Sequence, residues 1–228
     1  GATTDLTNVN LSGNQAREGG GFYISGGFGD TVTLTNATID GNTAIVRGGG
    51  FRNSGVDTTV IINGGTISNN ITQNEHGGGF YNNGKTILTN VDITDNQAID
   101  ADNTNGRPDD SYGGGFYNNP LGEHPTAGIV EITGGSITGN AAYGHGGGFW
   151  NRGGKVTITG TSADHVEIQN NSAGSPFAIP SDTRSGGGFY NSDAATTELT
   201  WVDFNNLAGT AANTVTSVGA AATDVRGN

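Results

Sequence analysis

The chain has 228 residues, of which 42 are glycine, 32% are apolar and 13% are charged. The formal net charge of −12 argues against binding to nucleic acid or to anionic membrane surfaces, because both require clusters of Lys and Arg. No apolar run reaches the roughly 18 residues of a transmembrane helix, and the lack of Cys excludes disulfides and thiol catalysis. Gly-rich polar chains are often disordered, but disorder predicts unpatterned apolar residues. Here the apolar residues recur in fixed frames, which indicates a repeat protein with a thin core.

Two motifs alternate along the chain. The tetrapeptide GGGF occurs six times, with its Phe at Phe22, Phe51, Phe80, Phe116, Phe149 and Phe189. Between these copies lies a frame of an aliphatic residue, a second apolar residue five positions later and an Asn three positions after that. The Asn residues of this frame are Asn14, Asn42, Asn70, Asn96, Asn140 and Asn171, the last of which belongs to a copy with five extra residues. Such regular repetition predicts one structural unit used many times.

Each unit has the pattern of β-strands. Apolar and polar residues alternate with a period of two, as in residues 32–35, and Gly, Asn and Asp stand at the expected corners. We expect three short strands per unit, typified by FYN, VTLTN and TIDGN. Such units coil into a parallel β-helix, in which each strand pairs with its equivalent about 4.8 Å away. The sequence therefore predicts an all-β solenoid with about seven coils over residues 1–207.

The C-terminal segment differs from the repeats. A seventh copy of the Asn frame has Leu207 where Asn is expected, and no GGGF follows it. We expect residues 208–228 to form an atypical coil or strand extension that caps the solenoid or contacts another subunit. A cut from a longer protein would explain the same irregularity.

The recurring Asn residues have a structural explanation. At a tight corner an Asn carboxamide can bond the turn backbone and the carboxamide of the next coil, so the frame predicts an asparagine ladder. A second ladder is expected where the FYN strands end. Its members are Asn53, Asn82, Asn118, Asn151 and Asn191.

The combined pattern I-x-x-N-x-A followed by G-G-G-F resembles the polymorphic outer-membrane protein repeat, in which F-x-x-N is followed by G-G-A-I. More broadly it resembles right-handed β-helix passengers of bacterial surface proteins. The resemblance covers roughly residues 5–206 and departs from the family in having GGGF for GGAI. It implies a right-handed coil, an extracellular or cell-surface location and a structural or adhesin-like role. It carries over no catalytic residues.

Insertions interrupt the repeat at two kinds of corner. Residues 97–112 and 172–185 both lie between a ladder Asn and GGG, and residues 119–128 follow the fourth FYN strand. The first two belong to coils two apart, so they should protrude side by side as a recognition surface, unless they are tolerated surface length. The first insertion carries oxygen ligands suited to Ca²⁺, although a solvated acidic loop explains them equally well. These candidate ligands are Asp100, Asp102, Asn105, Asp109 and Asp110.

A column of mostly aromatic residues follows the core Phe residues. Its members are Tyr23, Arg52, Tyr81, Tyr117, Trp150 and Tyr190. Strand alternation should point them outward, where they could stack on sugar rings, pack against a neighbouring subunit or stabilise the sheet as a cross-strand ladder. The slot before each GGG holds, in order, Glu18, Arg47, His76, Tyr112, His145 and Ser185. Such variety predicts a surface corner.

These features favour a structural or adhesive protein over an enzyme. Polysaccharide hydrolases and lyases of the β-helix type need clustered carboxylates or a basic residue on one face, and His145 in a variable slot is poor support for either. We expect an extracellular β-helix that self-assembles head to tail into filaments, or that binds a host or matrix glycan or protein. The alternative is a carbohydrate-binding or carbohydrate-active β-helix.

Overall fold

The structure, a computed structural model, describes residues 1–26, 29–101, 111–121, 127–174, 186–192, 194–204 and 225–226. In this part of the chain all regular structure is β-strand, and every strand pair is parallel. The strands form three sheets that run along a single solenoid. The predicted all-β parallel β-helix with three strands per coil is therefore confirmed. None of the described residues forms a helix that could span a membrane.

The strands of sheet 1 are Thr3–Thr7, Asn10–Ser12, Thr31–Asp40, Thr59–Ser68, Lys85–Thr94, Ile129–Thr133, Ser136–Thr138, Lys155–Thr159, Val166–Gln169, Thr196–Thr200, Val202–Asp203 and Val225–Arg226. Those of sheet 2 are Gln15–Glu18, Thr43–Arg47, Ile71–Thr72, Gln97–Ala98, Ala141–Ala142 and Ser172–Ala173. Those of sheet 3 are Phe22–Ile24, Phe51–Asn53, Phe80–Asn82, Phe116–Asn118, Phe149–Arg152 and Phe189–Ser192. We number coils 1 to 6 by the GGGF motif that each contains, and coil 7 begins at Thr196.

The strands are divided among the sheets differently from the sequence prediction. VTLTN and TID, expected as two strands, are one bent strand, Thr31–Asp40, in coil 2. The bend lies at Asn36, whose φ of 51° is left-handed, a conformation that Asn tolerates better than most residues. Pairing continues on both sides of the bend, at Thr35 with Asn63 and at Ala37 with Gly65. The third sheet comes instead from short strands after the ladder Asn.

Identical side chains stack inside the solenoid. Consecutive Phe rings of the six GGGF motifs lie parallel, with centroids 4.6 to 4.9 Å apart. Leu34, Ile62 and Leu88 form a second buried column beside them. Because each ring or aliphatic chain meets its own kind in the next coil, one set of shapes fills the whole core.

The asparagine ladder is confirmed. Asn42 donates from its backbone N–H and from Nδ2 to Oδ1 of Asn70, at 2.9 and 3.0 Å. Its Nδ2 also donates to the carbonyl of Leu11, one coil back, at 2.7 Å. Asn70 repeats this pattern toward Asn96 and Ile39. The pairs continue from Asn96 to Asn140 and from Asn140 to Asn171. Each carboxamide therefore joins three successive coils.

The second ladder connects the sheet 3 strands. Asn53, Asn82 and Asn118 each donate from Nδ2 to Oδ1 of the next member, at 2.8 to 3.0 Å, which brings the ladder to Asn151. Between Asn151 and Asn191 the Thr197 hydroxyl intervenes, accepting from Asn151 at 3.3 Å and donating to Asn191 at 2.7 Å.

Each of the three glycines of GGGF is required for a structural reason, either its backbone conformation or its close contact with the next coil. In coil 3 the first, Gly77, has φ of 75°, which favours glycine. A Cβ on the second, Gly78, would lie 2.4 Å from the carbonyl oxygen of Gly114 in the next coil. A Cβ on the third, Gly79, would lie 2.4 Å from that of Gly115. Only glycine lets these backbones approach at the strand spacing.

Little of the C-terminal segment lies in the described part of the chain. Residues 208–224 lie outside it, whereas Val225 and Arg226 pair in parallel with Val202 and Asp203 of coil 7. An atypical coil or strand extension over residues 208–228, with a capping or subunit-contact role, stays a prediction.

Replacing a buried ladder residue tests how much the ladder contributes. Asn42→Ala should lower the free energy of unfolding by about 1–3 kcal/mol, because it removes the two hydrogen bonds that Nδ2 donates to Asn70 and Leu11 and the two that Oδ1 accepts from Asn14. Asn14→Ala is the matched control, since Asn14 is exposed and should lose much less. Urea denaturation of both variants measures the difference. Equal losses would contradict the importance of the buried ladder.

Candidate functional site

The outer face of sheet 3 carries the aromatic column that the sequence singled out. In each FYN strand the Phe and Asn point inward, and the residue between them lies outside the main core. The rings are nevertheless shielded, because Tyr81, Tyr117 and Trp150 are only 4%, 1% and 9% exposed. Tyr23 differs, with 47% exposed. A second apolar layer therefore lies over coils 3 to 5.

Side chains from the slot before GGG form the cover. Each slot residue in the described part of the chain lies on the column residue of the following coil. The pairs are Glu18 with Arg52, Arg47 with Tyr81, His76 with Tyr117, Tyr112 with Trp150, and His145 with Tyr190. Glu18 and Arg52 form an ion pair. The Arg47 guanidinium makes a cation–π contact with Tyr81, 5.4 Å from the ring centroid. In the three remaining pairs two rings are in contact, with centroids 3.8 to 4.6 Å apart. The slot is variable because each member matches a different neighbour.

The first glycine of GGG directs the slot side chain over this face. In coil 5, Gly146 has φ of 68° and directly follows His145. The chain turns so tightly there that a Cβ on Gly146 would lie 2.3 Å from the carbonyl oxygen of Phe149. The turn folds His145 back over sheet 3, where it stacks on Tyr190 with centroids 4.6 Å apart.

The polar tips of the column bond to the coil that follows. The Tyr81 hydroxyl accepts from Nδ2 of Asn119 at 3.0 Å, and Trp150 Nε1 donates to Oγ of Ser192 at 2.6 Å. The Tyr117 hydroxyl is bonded in the same way to Arg152. Each ring is therefore held from both sides, by a slot residue of the preceding coil and a polar residue of the next.

The N-terminal part of this layer is charged. Arg52 takes the place of an aromatic residue in coil 2, with its guanidinium 5.5 Å from the Tyr23 ring and 5.4 Å from the Tyr81 ring. The Glu18 carboxylate accepts from Nη1 of Arg52. Arg47 pairs with Glu75 of coil 3. Cation–π contacts and ion pairs thus replace ring stacking at this end.

Burial shifts two pKa values within the layer. The pKa of His76 is lowered from 6.5 to about 3, first by burial and then by the positive charges of Arg47 and Arg152. Burial raises the pKa of Tyr117 to about 12, although the hydrogen bond from Arg152 acts in the opposite direction. At neutral pH His76 is therefore an uncharged ring between Tyr112 and Tyr117.

The slot is a surface corner that is more covered than its sequence variety suggested. His76, Tyr112 and His145 are half-buried and stack on aromatic rings, because the left-handed glycine turns them inward over sheet 3. The aromatic column is also far less open than alternation suggested. Binding of a ligand or partner there stays a prediction, and Tyr23 and the half-buried Tyr190 are its more accessible members.

Sequence reasoning missed the slot-to-column pairs. Slot and column residues of one coil are separated by a constant five positions, as at Glu18 and Tyr23. The partner of Glu18 is instead Arg52, 34 positions away. The opposite charges of Glu18 and Arg52 are the sequence signal for this pair, because the slot of one coil faces the column of the next.

The proposed calcium ligands fall mostly outside the described residues. Asp102, Asn105, Asp109 and Asp110 lie in the undescribed range 102–110, whereas Asp100 is described and only 8% exposed. Among the residues that are described, no group of three or more His, Cys, Asp or Glu side chains is placed to hold a metal ion. Calcium binding by the first insertion stays a prediction.

The insertions share one corner, as expected. Ala98 pairs with Ala142, which pairs with Ala173, so the segments following Ala98 and Ala173 leave sheet 2 two strands apart, about 10 Å. Residues 102–110 and 175–185 lie outside the described part of the chain. In the third insertion Leu121 is exposed.

The histidine in the layer predicts a specific acid sensitivity. Between pH 6.5 and about 3, His76 binds a proton in the unfolded chain but not in the folded chain. The contribution of the neutral His76 to the free energy of unfolding is therefore complete above pH 6.5 and is lost as the pH falls toward 3. His76→Phe keeps a stacking ring without a titrating group. Urea denaturation at pH 7 and pH 4 should show a smaller acid loss in His76→Phe than in wild type. An identical loss would contradict a neutral, buried His76.

Removing one cover should expose one ring. Tyr112→Ala should open Trp150 to water, which would shift its fluorescence to longer wavelength and increase quenching by acrylamide. The other tryptophan is removed by Trp201→Phe, and Glu18→Ala, which alters a distant slot, is the control. If both variants leave Trp150 equally quenched, Tyr112 is not its cover.

Comparison with known proteins identifies no relative. Neither models of protein families nor curated sequences nor solved structures give a match. The likeness to the polymorphic outer-membrane protein repeat therefore rests on the motif alone.

Proposed function

We propose that the chain is an extracellular structural or adhesive β-helix that stacks head to tail with further copies. The observation that carries this proposal is that the recurring polar and aromatic side chains contact the neighbouring coil. Asn pairs with Asn inside, and slot residues pair with column residues outside. A chain organised in this way is a scaffold, and a scaffold of this kind can extend by adding coils.

The charges on the outer surface support the same interpretation. Lys85 pairs with Glu131 at 2.9 Å, and Lys155 pairs with Glu198 at 3.0 Å, each between successive coils of sheet 1. Arg47 and Glu75 do so between coils 2 and 3. Such exposed pairs contribute little energy individually, but they occupy the charged groups in coil-to-coil contacts.

Coil 1 offers a surface on which another coil can stack. Leu6, Leu11 and Phe22 are partly exposed, whereas the equivalent core residues of coil 2 are fully buried. The Thr3–Thr7 strand pairs with Thr31–Asp40, and no strand among the described residues pairs with its other edge, which a parallel strand of a second copy could fill. The contact is heterologous, so its repetition generates a filament.

The adhesive part of the proposal rests on the insertions. Two of them leave the same corner of sheet 2 within about 10 Å of each other, so a partner can contact both at once. A glycan or protein of a host or matrix is the class of partner that such paired loops on a rigid rod would meet.

Electron microscopy of the purified chain, combined with ultracentrifugation over a range of concentrations, tests the proposal. We expect unbranched rods that lengthen with concentration. Thr4→Pro and Leu6→Glu are designed to block the open edge and should leave single short rods, whereas Thr133→Ala, on the outer face of coil 5, should not. Persistent wild-type monomers that bind a polysaccharide would overturn assembly and favour the carbohydrate-binding alternative.

A further inference from the structure

The interior of the solenoid does not distinguish one coil from another. Phe51 would stack equally well on Phe80 or on Phe116, and Asn42 would bond Asn70 or Asn96 in the same geometry. A chain with degenerate internal columns can stack a coil on the wrong neighbour while it folds, and such misassembly is characteristic of repeat proteins. Something outside the interior has to specify the order.

The outer layer is where the coils differ. Glu18 of coil 1 pairs with Arg52 of coil 2, and Arg47 of coil 2 pairs with Glu75 of coil 3. Glu18 and Arg47 are register partners in sheet 2, so they occupy equivalent positions with opposite charge. Both pairs are partly shielded from water, and the Arg52 side chain is 11% exposed.

We infer that these two ion pairs specify coil 2 as the neighbour of coil 1, and so fix the stacking order of coils 1 to 3. If coil 1 stacked directly on coil 3, Glu18 would take the position of Arg47. Its carboxylate would then face the carboxylate of Glu75 and the negative face of the Tyr81 ring. Like charges brought together at a partly buried contact disfavour the wrong neighbour, in addition to the native pairs that favour the right one.

The aromatic pairs have a different part in this selection. His76 on Tyr117 and Tyr112 on Trp150 are ring contacts, and rings tolerate exchange among themselves. The selection therefore lies in the charged end of the layer, over coils 1 to 3. The inference concerns the stacking order within one chain, and it holds whether or not copies of the chain assemble.

Pairs of introduced cysteines can report the stacking order, because the chain has none of its own. Thr7 and Thr35 are register partners, as are Thr35 and Asn63. Thr7→Cys with Thr35→Cys will form a disulfide in the native order, where the strands are about 4.8 Å apart. Thr7→Cys with Asn63→Cys will do so only when coil 1 meets coil 3, since two strand spacings exceed the roughly 7 Å limit for a disulfide.

Each reporter is refolded from urea under mild oxidation in three backgrounds: wild type, Glu18→Arg and Glu18→Gln. Glu18→Arg repels Arg52 in the native order and attracts Glu75 in the skipped order, so the skipped disulfide should rise several-fold. Glu18→Gln loses the ion pair with Arg52 and gains no attraction to Glu75, so the skipped disulfide should rise less than in Glu18→Arg. Adding Arg52→Glu to Glu18→Arg restores an ion pair and should lower the skipped disulfide again.

Loss of stability alone is controlled by Asn140→Ala, which weakens coil 5 and leaves the charges intact. That variant should give the wild-type amount of skipped disulfide. The inference is overturned if Glu18→Arg and Glu18→Gln match wild type, or if Asn140→Ala raises the skipped disulfide as much as Glu18→Arg does.

Discussion

The hydrogen bond between equivalent Asn carboxamides is the constraint on which the rest of the fold depends. Each carboxamide uses both Nδ2 hydrogens and its oxygen, and it does so only when the next coil presents an Asn at the same position and at the strand spacing. Identical residues must therefore align from coil to coil. Once that register holds, Phe necessarily meets Phe. The second and third glycines of GGG then come within 2.2 to 2.7 Å, measured from a Cβ position, of a neighbouring carbonyl oxygen.

The outer layer follows a different rule from the interior. Inside, each residue packs against a residue of the same or a similar type in the next coil. This limits the core columns largely to Phe, Leu, Ile, Val and Asn. Outside, a slot residue meets a column residue of another kind, so complementary pairs are possible, such as Glu18 with Arg52 or His76 with Tyr117. Uniform interior contacts provide stability that any coil can share. Among the exterior contacts, the charged pairs are the ones that we infer to distinguish the coils, because ring contacts tolerate exchange.

The features that could be predicted from the sequence are those that arise from a regular repeat of identical residues. Phe51, Asn42 and their equivalents recur in a fixed frame, so the fold, the buried Phe column and the first ladder follow from the amino-acid sequence alone. The outer pairs do not, because Glu18 and Arg52 belong to different columns and are 34 positions apart. The sheet boundaries were misplaced because Asn36 bends a strand without interrupting its pairing. The outer pairs and the sheet boundaries depend on the backbone conformation at single corners, which the periodicity of the sequence does not reveal.

The position of the insertions shows how this fold can acquire function without losing stability. Ala98, Ala142 and Ala173 remain register partners although the segments after the first and third are much longer than the segment after the second. The ladder Asn before each corner and GGGF after it restore the register, so loop length there is thermodynamically cheap. The slot residue just before GGG is less free, because it must still cover a ring or neutralise a charge in the next coil. We therefore propose recognition between Ala98 and Tyr112, a corner whose two ends are held by sheet 2 and by the outer layer.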